Sequence, residues 1–533
     1  MNNAELIVGT LKKAGITHGF GIPSGNVLPV MEAMRTGGIE FVLTAHEGSA
    51  AFAADVTGRQ TDRPGFCIAT LGPGATNLTT GVGNAWLDRS PLLAITCNLN
   101  TDQLGRRIQM YIDHHALFAP ITKASFALRH GNVAGPLAEA IRITMTEPRG
   151  PVHLDLPEDV ALAPATEDVP DFGTPEPVFP APRDMIKRAA TMIAAVDRPI
   201  AVLGSSAMRI FDKDLLRQFI EHHQIPFMTT TMAKGLIDDD HPLALGCIER
   251  SCRQHQRALL RRADLIVGLG YDTIEVEYEA WIGDVPLLQL DIESVDIAGI
   301  VDLRLEVIGN LDTALREFLL LNGSTHKWRQ AELRTHRKTF DRLLRPKSNL
   351  FTAHQAIDAV RAALPADGIL AFDVGAHTHQ IASQWHAPAP KSFLITNGWS
   401  SMGFGLPAAI AAKLAAPERP VVCLIGDGCF QMTCGELATA KRVGITLPVI
   451  VLDDRWLGLI RVKQMRRQYG IYGTELQKEE YRSPPSHYFG VPAKGVKSRA
   501  ALVRAVKKAL AADGPTVIEA LVDSDHYIET VFD

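Results

Sequence analysis

Short aliphatic runs recur along the chain, each closed by a glycine or a polar residue and each followed by a stretch with helical spacing. Phe66–Thr70, Leu92–Thr96, Ala201–Gly204, Leu265–Gly268, Val421–Ile425 and Val449–Leu452 are the clearest. Their uninterrupted apolarity predicts strands buried on both faces of a parallel sheet, with crossover helices between them. A buried helical segment is the competing reading of any single run; the short length and flanking glycines favour a strand. The alternation predicts an α/β chain of three doubly wound parallel-sheet domains.

Two connectors divide the pattern. Ala161 to Arg183 carries Pro164, Pro170, Pro175, Pro177, Pro180 and Pro182, a density that neither a helix nor a central strand tolerates. Asn322 to Asn349 is rich in Lys, Arg and His and lacks aliphatic periodicity at its ends, which predicts a solvated helix and loop. The expected domains are therefore 1–160, 184–320 and 350–533.

Composition narrows the class. The 533 residues are 46% apolar and 21% charged, with a formal net charge of only −5, so no electrostatic footprint for nucleic acid is present and small-molecule partners are expected. No uncharged apolar run is long enough for a membrane span; the Ala-rich stretch from Gly403 is broken by Lys413. The first residues mix Glu5 with two lysines in a short amphipathic pattern, unlike an export signal. Seven cysteines without zinc spacing fit reduced thiols, and together these features predict a cytoplasmic protein without a structural disulfide.

The sharpest chemical signal follows Val421. One aliphatic run ends in Gly426-Asp427-Gly428, a helix is expected after Cys429, and a second run ends in Asp453-Asp454. Parallel neighbouring strands end on one edge, where Asp427 and Asp454 can converge. Two hard oxygen ligands suit Mg²⁺ completed by phosphate oxygens, while glycine backbone and a helix start suit a diphosphate. Gly-Asp-Gly alone is a common turn; the second carboxylate pair at a second strand end turns the reading towards a metal. Near the N-terminus, Glu47 follows an apolar run and opens a helix of small residues, a setting for proton exchange. A glutamate that merely favours the helix dipole is the competing reading.

These segments resemble thiamine-diphosphate enzymes over nearly the whole chain, and most closely the acetolactate synthase group of 2-oxoacid enzymes. The resemblance is carried by Phe20–Gly25, the Glu47 region, Gly72–Asn77, Leu117–Lys123, Asp373–His377, Ser401–Pro407 and the Asp427/Asp454 motif, in which Asp453 stands where the family usually has asparagine. It implies thiamine diphosphate and Mg²⁺ as cofactors, with Asp427, Asp454 and the Trp456 carbonyl as metal ligands. Glu47 would exchange a proton with N1′ of the aminopyrimidine, and Met402 would support the bent cofactor. Pro73, Asn77, Val374, Gly375, Ala376, His377, Ser400, Gly426, Gly428, Cys429, Leu457, Gly458 and Leu459 would complete the cofactor site, with His377 donating to phosphate. Because Glu47 and the metal motif lie in different domains, the resemblance implies a site between subunits, hence at least a homodimer, with a homotetramer as the larger alternative.

Within that group, Tyr271-Asp272 replaces the Arg-Phe-Asp-Asp pattern of flavin-bearing relatives, so FAD is not expected. Gly25 would approach substrate through its backbone. Three positions depart from the group: a substrate-contacting glutamine falls at Met110 with Gln109 adjacent, an acceptor-pocket tryptophan falls at Lys463, and a lysine of catabolic relatives falls at Asn26. The implied function is decarboxylation of pyruvate and joining of its two-carbon unit to a second 2-oxoacid. A simple 2-oxoacid decarboxylase or related C–C lyase is the alternative. A non-catalytic scaffold fits poorly with intact Glu47, Asp427 and Asp454, and an NAD-type oxidoreductase lacks its Gly-x-Gly-x-x-Gly.

Overall fold

The computed structural model of the protein describes residues 1–276, 279–297, 299–477 and 484–531. Three sheets follow one another along the chain, as the alternating pattern predicts. The first contains β1 (His18–Gly21), β2 (Glu40–Leu43), β3 (Gly65–Ala69), β4 (Leu92–Asn98), β5 (Ala124–Ala127) and β6 (Pro151–Pro157) in the order 2-1-3-4-6-5. The second contains β7 (Pro199–Leu203), β8 (Phe227–Thr229), β9 (Ala244–Cys247), β10 (Leu265–Leu269), β11 (Leu287–Asp291) and β12 (Leu303–Ile308) in the order 12-11-10-7-8-9. The third contains β13 (Ile369–Phe372), β14 (Phe393–Leu394), β15 (Val421–Gly426), β16 (Pro448–Asp453), β17 (His487–Tyr488), β18 (Val491–Val496) and β19 (Thr516–Leu521) in the order 14-13-15-16-19-18-17.

The described strand pairs are parallel except at the β17–β18 edge of the third sheet. The central strands read as unbroken aliphatic runs because helices cover both faces; every residue of β3, β4, β7, β10, β15 and β16 is buried. The six runs read from the pattern all become strands, displaced by one or two residues at their ends.

Helix Glu47–Thr61 packs on helix Gly405–Ala415 from the C-terminal half. Alanines 50, 51, 53 and 54 of the first helix and Ala408, Ala409, Ala411 and Ala412 of the second are all buried, small side chains that let packed backbones approach closely. Phe52 and Phe404 meet edge to face at 5.6 Å, and Arg59 reaches from the first helix to the carbonyl of Ile395 at 2.8 Å. One apolar core therefore runs through the first and third sheets, while the central sheet has its own.

No helix or strand occupies the proline-rich stretch between Leu162 and Arg183. The second connector differs from its expected solvated character. Helix Gln330–Leu344 buries Leu333, His336, Phe340 and Leu344, and the Trp328 indole donates to the Pro199 carbonyl at 2.8 Å. Those four positions fall on one helical stripe that the surrounding charges conceal in the sequence. All seven cysteines are free thiols, six of them buried. Among the described residues, no helix is long and apolar enough to cross a membrane.

Candidate active site

β15 and β16 are parallel neighbours with Gly426 opposite Leu452, so the residues that follow them emerge side by side at the carboxyl edge. Asp427 and Asp454 line one cavity of about 220 Å³ there, together with Trp456. The Arg455 amide donates to Asp427 Oδ2 at 2.8 Å, and the Trp456 amide donates to Asp454 Oδ1 at 2.9 Å. Each aspartate is only 7% exposed. Burial pushes the Asp454 carboxyl up to about 7, and burial plus the charge of Asp454 pushes Asp427 well above the usual carboxylate range. The helix beyond Gly426 runs Asp427–Thr433 and so begins at the aspartate itself, three residues before the start expected after Cys429. Glycines flank Asp427 because the space is taken: a Cβ at Gly426 would lie 2.9 Å from the His377 ring and one at Gly428 3.0 Å from the Leu457 side chain.

All the C-terminal residues named from the sequence for the cofactor line this cavity. Asp373, fully buried, holds two of its walls by accepting the amides of Val374, Gly403 and Gly405 at 2.7, 3.0 and 2.9 Å. Met402 and the 374–377 segment are thereby fixed to one carboxylate. A side chain at Gly458 would place its Cβ 2.9 Å from Asp454 Oδ2, so this position keeps the acid accessible from the backbone side. Ser400 and Arg455 adopt left-handed φ of 50° and 66°, strain of the kind that clusters at functional sites. The His377 ring is buried, its Nε2 has no partner in the protein, and burial drives its pKa down to about 3.

Leu452, Ile460 and Tyr527 also line the cavity and were not read from the sequence. Tyr527 comes from helix His526–Thr530, far from every motif, and its buried hydroxyl is raised well above its usual range by burial and by Asp454. No local signal marks it.

Glu47, Pro73, Asn77, Gly25, Gln109 and Met110 do not line that cavity. They cluster near the carboxyl edge of the first sheet. β2 stops at Leu43, and Thr44–His46 lead into the helix that Glu47 opens. Glu47 is 8% exposed, and the Asn77 amide donates to its Oε2 at 2.9 Å. Gly72, at φ +60°, turns the chain from β3 into helix Pro73–Leu87, which carries Asn77. Its amide meets His114 Nε2 at 3.4 Å, and His114 Nδ1 in turn meets Asp155 at 2.9 Å, a buried relay with no sequence signature.

Met110 has φ +65° and a side chain 40% exposed; its carbonyl packs under Gly72. Gln109 is exposed. Gly25 has open space where a Cβ would stand. Asn26 is a bracket: it donates to the Cys97 carbonyl at 3.0 Å and accepts from Thr70 at 2.8 Å. Lys463 is half-buried on helix Gly458–Arg466, its pKa lowered by burial and by Arg250 and Arg467. At the carboxyl edge of the central sheet, Ser205 donates its amide to Glu275 at 2.8 Å and Arg89 pairs with Asp272 at 2.8 Å.

This architecture and cavity match a known class in chain order. Residues 1–117, 186–318 and 373–520 match, respectively, the N-terminal TPP binding domain, the central domain and the C-terminal TPP binding domain of thiamine pyrophosphate enzymes. The chain is 30% identical to the acetolactate synthase isozyme 2 large subunit of Escherichia coli, covering 98% of this chain and 96% of that one. It is also 30% identical to the probable acetolactate synthase large subunit of Methanocaldococcus jannaschii (98% and 92% covered), and 27% identical to the acetolactate synthase large subunit of Lactococcus lactis (99% and 93% covered). The chain belongs to the acetolactate synthase family of thiamine pyrophosphate enzymes.

Proposed function

We propose that the protein decarboxylates pyruvate and joins the two-carbon unit to a second 2-oxoacid, using thiamine diphosphate and Mg²⁺. Full-length similarity to acetolactate synthase large subunits supports the reaction class. The observation that carries the cofactor reading is the cavity of Asp427 and Asp454. Two buried carboxylates and an imidazole nitrogen without a protein partner are a costly combination for the protein's own groups to sustain. A divalent cation and an anionic diphosphate neutralise both costs, so the residues fit the group.

Asp427, Asp454 and the Trp456 carbonyl would hold Mg²⁺, with Val374–His377, Ser400, Gly426, Gly428, Cys429 and Leu457–Leu459 around the diphosphate and thiazolium. An anionic diphosphate beside His377 would favour its protonated form, and Nε2, which has no protein partner, would be the donor. Met402, in the wall of the same cavity, would support the bound cofactor. Bound thiamine diphosphate supplies a carbon nucleophile and an electron sink for the bond that breaks. Glu47 moves the proton at N1′ of the aminopyrimidine; Asn77 and the turn of Gly72, Pro73 and Gly74 hold its carboxylate in place. Leu452, Ile460 and Tyr527 exclude water from the reacting face.

Among the described residues Glu47 is not part of the lining of the Asp427 cavity, which supports a cofactor shared between two subunits of a homodimer or of a homotetramer built from dimers. Gly25, with Gln109 and Met110 nearby in the N-terminal half, would meet the 2-oxoacid. Domain limits of 1–160, 184–320 and 350–533 and a cytoplasmic location belong to the same proposal. FAD is left out of it: Glu275 and Asp272 already engage the groups at the central sheet's edge. The test is product analysis with pyruvate, thiamine diphosphate and Mg²⁺. Acetolactate, read as acetoin after acid treatment, is expected; acetaldehyde as sole product would move the protein to the decarboxylases.

A further inference from the structure

The loop that presents Glu47 is gripped by the other half of the chain. Helix Glu436–Arg442 follows the helix that starts at Asp427, and three of its residues at spacings of three reach Leu43–His46. Glu436 Oε1 accepts the amides of Ala45 at 2.9 Å and His46 at 3.2 Å. Thr439 and Arg442 donate to the Leu43 carbonyl at 3.2 and 2.8 Å, and Thr439 lies 2.7 Å from Glu436 Oε2. A side chain at Gly435 would bring its Cβ within 3.1 Å of Ala45 Cβ, so the two segments are in close backbone approach.

Glu436 is 1% exposed. Apolar contact would join the two halves without burying a carboxyl group, and the neighbouring alanine helices already do so. What the carboxylate adds is direction: it fixes two successive peptide planes immediately before Glu47. We propose that Glu436 is a positioning residue for the proposed proton exchange at the cofactor, acting through the Ala45 and His46 amides on the Glu47 carboxylate. The inference rests on the role proposed for Glu47. It assigns part of that role to the C-terminal half of the same chain, whose own metal cavity Glu47 does not line.

The experiment uses the full chain with thiamine diphosphate and Mg²⁺ and reads three quantities: hydrogen exchange of the Ala45 and His46 amides in cofactor-free protein, exchange of the cofactor C2 proton, and the Mg²⁺ concentration for half-saturation. Glu436→Ala should deprotect both amides and slow C2 exchange by about 10-fold or more, the scale of a small misplacement of a catalytic group. Half-saturating Mg²⁺ should stay within about 2-fold, because the metal cavity is untouched. Glu436→Gln retains an acceptor oxygen for the two amides and should keep C2 exchange within about 3-fold of wild type. If Glu436→Ala does not fold, Glu436→Asp, too short to reach both amides, carries the test with the same expected direction. Deprotected amides with wild-type C2 exchange, in either shortened variant, overturn the inference. Glu47→Gln separates the two levels: slow exchange there with fast exchange in Glu436→Ala sinks only this inference, whereas fast exchange in Glu47→Gln sinks the role of Glu47 itself.

Discussion

The amide of Arg455 donates to the carboxylate of Asp427 across 2.8 Å, tying together the two strand ends that carry the acidic pair. The bond holds Asp427 in place before any cation arrives, and its partner peptide adjoins Asp454. The cavity is thus pre-organised, and its carboxylates are strained electrostatically rather than conformationally.

That strain predicts opposite effects of one substitution. Asp454→Asn should stabilise the cofactor-free protein and abolish its response to Mg²⁺. The sign follows from a folded-state pKa raised from its ordinary value to about 7. The native state holds the proton that the unfolded chain has released, so the penalty is absent below about pH 4, grows as pH rises, and is complete above about pH 7. The gain in Asp454→Asn should be on the order of 1–3 kcal/mol at pH 8 and vanish at pH 4. Thermal melts of both proteins at the two pH values, with and without Mg²⁺ and thiamine diphosphate, check it. A less stable Asn variant at pH 8 without cofactor would refute the account.

Removing Mg²⁺ from the loaded wild-type protein should lower its melting temperature. At a cofactor concentration about 100 times Kd, the lost stabilisation is about 2.7 kcal/mol. Chelation followed by a melt reads the change; a melting temperature indifferent to chelator argues against a metal at Asp427 and Asp454.

Glu47→Gln should lower pyruvate turnover by about 100-fold or more while leaving Mg²⁺-dependent cofactor binding in place, the range for loss of a proton-transfer group. Asn77→Ala, which frees Glu47 Oε2, should fall between the two proteins. Steady-state turnover and cofactor titration by tryptophan fluorescence separate the binding and proton-transfer effects.

Mixing subunits tests where the site lies. Glu47→Gln and Asp427→Asn homodimers should each be inactive, yet after dissociation and reassociation together about a quarter of wild-type activity should return. Half the dimers are then mixed, and each mixed dimer has one site with both residues intact. A site within single chains would give no recovery, and activity measured before and after mixing decides between them.

Acid should destabilise the protein through its buried histidines. Burial lowers His153, His336, His377 and His526 to about 3. Below about pH 6.5 the unfolded chain takes up protons that these native side chains refuse. Their contribution is therefore complete above that pH and lost progressively on the way down to about 3. Because the buried acid Asp454 relieves its own penalty over the same interval, the histidine contribution is read as a difference: a His336→Gln variant should lose less melting temperature than wild type between pH 6.5 and 5, and parallel profiles would contradict the assignment.

Residues close together in the chain announced most of the C-terminal cavity. Asp427 and Asp454 could be paired from sequence because each follows a strand, and parallel neighbouring strands deliver their ends to one edge. The helix starts at Asp427, three residues ahead of the start its sequence suggests, because glycine and cysteine leave such a boundary unmarked. The stripe of Leu333, His336, Phe340 and Leu344 was hidden by the charges between its members.

The sequence by itself determined three wound sheets, the strand-end position of the acidic pair and the helix that Glu47 opens, since periodicity and strand ends are local properties. Only the tertiary structure decided that Tyr527 closes the cavity, that His114 and Asp155 stand behind Gly72, and that Glu436 grips the peptide before Glu47. These partners are dozens to hundreds of residues apart, and nothing in the spacing of side chains along a chain encodes which distant surfaces its packing will press together.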